Sequence, residues 1–67
     1  MTFRDWIDLK TPQTLALVLE IREGTIRMWK TRNVIPRDCW PDIMTKCPEV
    51  GLADLMAMEK ASRAVTE

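Results

Sequence analysis

Apolar and polar positions along this chain recur with the period of a helix, and almost nowhere with the period of a strand. Phe3, Trp6 and Ile7 stand at i, i+3 and i+4, one face of a helix. Thr2 in front of them and Asp5 three residues on make a capping box, with Asp in place of the usual Glu. This first helix is expected to end near Leu9 or Lys10. Thr11-Pro12 opens a second, because Thr caps well and Pro at the first helical position gives up only an amide that lacks a partner anyway. Its buried stripe reads as Leu15, Ala16, Val18 and Leu19, with Leu17 off the stripe and against the first helix. The apolar phase breaks at Glu20 and resumes at Ile26 and Trp29, so a turn is expected over Glu20-Ile21-Arg22 and a third helix from about Glu23 to Thr31 or Arg32. Asn33-Val34-Ile35-Pro36 ends it, since a residue before Pro avoids the α region. Pro36 to Trp40 reads as a turn or a single helical loop. Pro41 then opens a short helix with Ile43 and Met44 that stops before Pro48. After Val50 or Gly51, the residues Leu52, Leu55, Met56, Met58 and Ala61 mark an amphipathic helix to about Ala64, beyond which the last residues fray. The expected fold class is all-α, a bundle of four to five short helices forming one domain over residues 1–67.

Length sharpens that picture. A chain of 67 residues buries only roughly 60% of the surface it exposes when unfolded, so disulfides, a metal or a partner subunit would normally help it. Histidine is absent and only Cys39 and Cys47 carry thiols, which leaves too few ligands for a zinc site and no His-based triad or general base. The chain is therefore not expected to be an enzyme, nor to use a metal or cofactor. Asp5, Asp8, Asp38 and Asp42 match no metal loop and read as caps or solubilising charges. No apolar leader precedes the cysteines, and no apolar run approaches the roughly 18 residues that span a bilayer. Two reduced thiols in a cytoplasmic protein are expected, with one disulfide as the alternative.

Charge is informative through its distribution. Ten basic and ten acidic residues cancel overall. Yet Arg22, Arg27, Lys30, Arg32 and Arg37 face only Glu23 within their stretch, a local balance of +4 against −4 for the rest. Basic charge confined to one segment suggests a single anionic contact surface, the alternative being a solvated face. Counting about 100° per residue from Glu23 puts Ile26 and Trp29 on one side of the third helix. Gly24 and Thr31 then lie opposite, flanked by Arg27 and Met28, with Glu23 and Lys30 at the edge. Small, basic and one adaptable apolar side chain on one face suit a DNA major groove: Arg can fork onto guanine O6 and N7, and an apolar group can meet a thymine methyl. Glu23 would accept from cytosine N4 or simply favour the positive helix N-terminus. Two short helices joined by a tight turn are the ingredients of a helix-turn-helix. In that docking mode Thr11 and Gln13 at the start of the first helix would contact phosphate, as would Arg22, Lys30, Arg32 and Arg37 around the second. Trp29 and Trp40 read as core, Trp6 is ambiguous, and Met28 is either a contact or idle exposure.

The stretch from Leu15 to Trp29, with Leu15-Ala16, Leu19, Ile21, Ile26 and Trp29, resembles the helix-turn-helix of Cro-type phage and bacterial repressors. Its continuation, Trp29-Lys30-Thr31-Arg32-Asn33-Val34-Ile35-Pro36 followed by Trp40-Pro41, is similar to a subgroup with W-K-x-R-x-x-I-P-x-x-x-W-P. Two positions depart. Glu20 stands where the family has Gly for a turn that wants positive φ, and Arg22 where relatives often carry a Ser-like cap. If Thr25 is the cap instead, Glu23 and Gly24 leave the contact set and Arg27 leads. The resemblance implies a lambda-repressor/Cro-like fold and a transcriptional repressor bound as a homodimer to a palindromic double-stranded DNA operator, with half-sites roughly 34 Å apart. Such proteins often regulate their own operon in a phage, toxin–antitoxin or anti-CRISPR locus. The apolar surplus of the last helix, Leu55, Met56 and Met58, is assigned to the dimer interface, with core as the alternative. The competing function is a protein-interaction module, an antitoxin or inhibitor that does not bind DNA.

Overall fold

The computed structural model describes residues 1–66 and is all-helical over them: α1 (Phe3–Lys10), α2 (Pro12–Leu19), α3 (Glu23–Arg32), a single 3-10 turn (Arg37–Cys39), α4 (Trp40–Lys46) and α5 (Leu52–Thr66). α1 packs against α2, α3 and α5, while α4 closes the other side against α2 and α5. Phe3, Ile7, Leu15, Ile26, Ile35, Ile43 and Leu55 are fully buried, and Trp6, Trp29 and Trp40 join them in the core. Both cysteines are free thiols. Burial raises the pKa of each, with Asp42 and Asp38 adding to the effect at Cys39 and Glu49 at Cys47, so both stay protonated at neutral pH.

The local signals of the sequence set the helix starts. Thr2 Oγ1 accepts from the Asp5 amide at 3.1 Å and Asp5 Oδ2 accepts from the Thr2 amide at 3.1 Å, a complete capping box. Those hydrogen bonds hold the Asp5 carboxyl below the usual range. Two other amides of that first turn are taken by distant side chains. Phe3 N donates to Ser62 Oγ on α5 at 2.9 Å, and Arg4 N donates to Asn33 Oδ1 at 2.9 Å. Thr11 caps α2 through its hydroxyl, which accepts from the Thr14 amide at 3.3 Å.

Helices α2 and α3 end in the same way. Glu20 and Asn33 take left-handed backbone, at φ 57° and φ 56°, and the amide that follows each reaches back to close the helix, Ile21 N to Ala16 O and Val34 N to Trp29 O. This is the geometry usually given to Gly. The positive φ expected at the α2–α3 turn is present, and a Glu adopts it. Thr11 is also at positive φ, 69°, a strained position for a β-branched residue that the sequence did not announce.

Several expectations are corrected. Leu17 does not pack on α1 but is 81% exposed, because Leu15 and Leu19 centre the buried side of this two-turn helix and Leu17 points directly away from it. Val18, expected inside, is partly exposed at the edge of that face. Leu55 and Met58, assigned to a dimer interface, are buried within the chain's own core, since α1 and α4 cover that side of α5. Met56 is half exposed, as is Leu52. α5 extends past Ala64 to Thr66, and the fraying expected at Glu67 lies outside the described residues.

Candidate nucleic-acid interface

Three residues, Glu20, Ile21 and Arg22, join α2 to α3. Ile21 is partly buried against the core, which ties the middle of the turn down. Lys46 from α4 clamps its start: the ammonium donates to the Glu20 carboxylate at 2.8 Å and lies 3.5 Å from the Leu19 carbonyl at the end of α2. The same contact holds the Glu20 carboxyl below its ordinary pKa. Arg22 is the N-cap of α3 and offers no side-chain cap, so the helix begins at Glu23 and Thr25 lies inside it.

α3 buries Ile26 and Trp29 and leaves Gly24, Arg27, Met28, Thr31 and Arg32 exposed on its outward arc, with Glu23 and Lys30 half-buried at the edge. All five residues named for base contact lie on or beside this arc. A Cβ added to Gly24 would meet nothing within 4 Å, and its φ is negative, so neither packing nor backbone requires glycine there. Gly24→Ala should therefore stabilise α3 by up to about 1 kcal/mol, read as a rise in Tm. If close backbone approach to a groove is what the glycine serves, the same variant should bind duplex DNA more weakly despite its greater stability.

The basic residues divide into two sets. Arg22 and Arg32 are exposed and reach no acidic partner among the described residues. The other three are paired. Lys30 joins Asp8 of α1. Arg37 donates to both carboxylate oxygens of Glu59 on α5, at 2.9 and 3.4 Å, and its guanidinium lies 5.2 Å from the ring centre of Trp40. That pair raises the Arg37 pKa and holds Glu59 below the usual carboxylate range. Arg27 instead pairs within its own helix, Nε at 2.9 Å and Nη2 at 2.7 Å from Glu23 Oε2, and remains exposed. Of the two residues at the start of α2, Thr11 spends its hydroxyl on Thr14, while Gln13 is exposed.

Reading the sequence did not find three of these partners. Asp8 and Glu59 meet their cations across other helices, which spacing along the chain does not reveal. Glu23 and Arg27 carry the i, i+4 signal that could have paired them. Arg4 of α1 was also missed: it caps the end of α3, Nε to the Lys30 carbonyl at 3.1 Å and Nη2 to the Thr31 carbonyl at 3.3 Å. Among the described residues no acidic or cysteine cluster could hold a metal ion, and no helix is long and apolar enough to cross a membrane. Comparison of the chain with protein families, with curated proteins and with solved structures gives no match.

Proposed function

We propose that the protein is a sequence-specific double-stranded DNA-binding repressor that sets α3 in the major groove as the second helix of a lambda-repressor/Cro-like helix-turn-helix. The observation that carries this reading is the outward arc of α3. Gly24, Arg27, Met28 and Thr31 stand together on the face opposite Ile26 and Trp29, with Arg22 and Arg32, exposed and without an acidic partner among the described residues, at its two ends. Arg27, Met28 and Thr31, with Gly24, meet the bases, and Glu23 stands beside them paired with Arg27; Arg22 and Arg32 meet phosphate. The charges of Lys30 and Arg37 are already balanced by Asp8 and Glu59, so their share is smaller than that of Arg22 and Arg32.

The domain measures 30 × 23 × 21 Å, so two copies side by side can set their α3 helices at roughly the 34 Å spacing of one DNA turn. With Leu55 and Met58 buried, the large apolar residues of α5 left for such a pairing are Leu52, Met56 and Val65. On this reading the operator lies in the chain's own operon, where the protein regulates itself.

Selection from a pool of randomised duplexes, followed by mobility shift on the selected sequence, tests this reading. Wild type should enrich a two-fold symmetric site and bind it far above an unrelated duplex. Arg27→Ala should lose about 1–3 kcal/mol of that preference, while Arg32→Ala should weaken all duplexes alike and flatten the salt dependence by about one phosphate contact. No enrichment of any duplex, with a protein partner recovered instead, would favour the interaction module.

A further inference from the structure

We infer that Glu23 is a positioning residue: it holds Arg27 so that the guanidinium presents its end-on fork to a guanine, and base selectivity at that position depends on the pair rather than on Arg27 alone. The inference rests on the DNA-binding reading above. Arginine carries five N–H donors in a planar array. Glu23 takes the side edge, Nε and Nη2 both lying within 2.9 Å of one carboxylate oxygen. The two terminal nitrogens still have hydrogens that point away from Glu23, and the spacing of this free edge matches guanine O6 and N7.

The other pairs in the molecule show why this one is different. Lys30–Asp8, Arg37–Glu59, Lys46–Glu20 and Lys10–Glu49 each join two different parts of the fold, and Arg63, one turn along α5 from Glu59, only approaches at 3.9 Å a carboxylate that Arg37 already holds at 2.9 Å. Glu23–Arg27 joins nothing: both residues sit on α3, one turn apart, with side chains 38% and 63% exposed. It fixes a long side chain on the outward arc and cancels its charge. A phosphate contact gains from a free cation, which Arg22 and Arg32 supply. A base reader gains from a fixed direction, because a side chain already held in place loses less entropy on binding.

The test is a double-mutant cycle on duplex preference, with Glu23→Ala, Arg27→Ala and the double variant, each compared on the selected site and on a site whose candidate guanine is replaced. Removing Glu23 also removes a negative charge, so affinity for every duplex should rise; the ratio between the two sites is therefore the readout. Glu23→Ala should cut that ratio about ten-fold, within the range a bidentate contact supplies, at the same base pair that Arg27→Ala relaxes. In the Arg27→Ala background it should change the ratio no further. An unchanged ratio in Glu23→Ala overturns the inference while leaving DNA binding intact. So does an effect at a different base pair, or one that persists without Arg27, since Glu23 would then read a base itself. Failure of wild type to prefer any duplex overturns the inference together with the reading it rests on.

Discussion

Trp40→Ala should cost the chain much or all of its stability, with a large fall in Tm. Trp40 is 4% exposed, its ring lies tilted against Phe3 at 6.3 Å, and Arg37 covers its outer face. Its indole nitrogen donates to the Ile35 carbonyl at 3.1 Å, fixing the extended segment that leads from α3 into the 3-10 turn. Removing a buried Trp side chain costs about 3–5 kcal/mol. A domain of this size has about 3–10 kcal/mol of stability in total, so the loss consumes much or all of it. Trp40→Phe keeps most of the apolar area but strands the Ile35 carbonyl, at about 1–3 kcal/mol. Thermal unfolding followed by circular dichroism checks both. A Tm for Trp40→Ala within a few degrees of wild type would mean that the 3-10 turn and α4 contribute little to the core.

The second large effect is expected at Asn33. This residue is 3% exposed and does two separate things. Its backbone takes the left-handed conformation that closes α3, and its Oδ1 accepts from Arg4 N at 2.9 Å and from Ser62 Oγ at 3.2 Å, joining α3 to α1 and α5. Asn33→Ala removes the acceptor and puts a residue with no local compensation at positive φ, for a combined loss of about 2–4 kcal/mol. Asn33→Gly removes the acceptor alone. The glycine variant should therefore be the more stable of the two by about 1 kcal/mol, as measured by urea midpoints at equal m. Equal stability of the two variants would show that the backbone conformation carries no cost there.

Features that depend on neighbours along the chain were legible in the sequence. The Thr2–Asp5 box, Pro12 at the start of α2, and the break before Pro36 all act within four residues, and the structure has each where spacing put it. The opposition of Ile26 and Trp29 to Arg27, Met28 and Thr31 also follows from period alone, so the outward arc of α3 was foreseeable. Features that depend on what lies across the core were not. Amphipathicity showed that α5 has an apolar side but not that α1 and α4 cover it, which is why Leu55 and Met58 were set at an interface. In α2, five consecutive apolar residues leave the stripe poorly defined, so Val18 was counted inside it and Leu17, correctly off it, was set against α1 instead of in solvent. Asn33 gave no sign of its role because its partners are 29 residues away in both directions along the chain. The charges followed the same division: the Glu23–Arg27 pair lay within reach of a spacing rule, and Asp8 with Lys30 did not.

The left-handed ends of α2 and α3 have a further consequence for how the chain reaches its native state. A glycine would let each helix stop by itself. Here the stopping residues are Glu20 and Asn33, and each places its side chain on a different helix, Glu20 on Lys46 of α4 and Asn33 on α1 and α5. Beyond the local closing bonds, the compensation that these two side chains supply arrives once those helices have docked. Termination and assembly are thus coupled, so a fragment holding α2 and α3 alone ends its helices less firmly at these points than the whole chain does. The fold is cooperative at its joints as well as in its core, and the length of α3 is fixed most firmly in the company of the rest of the chain.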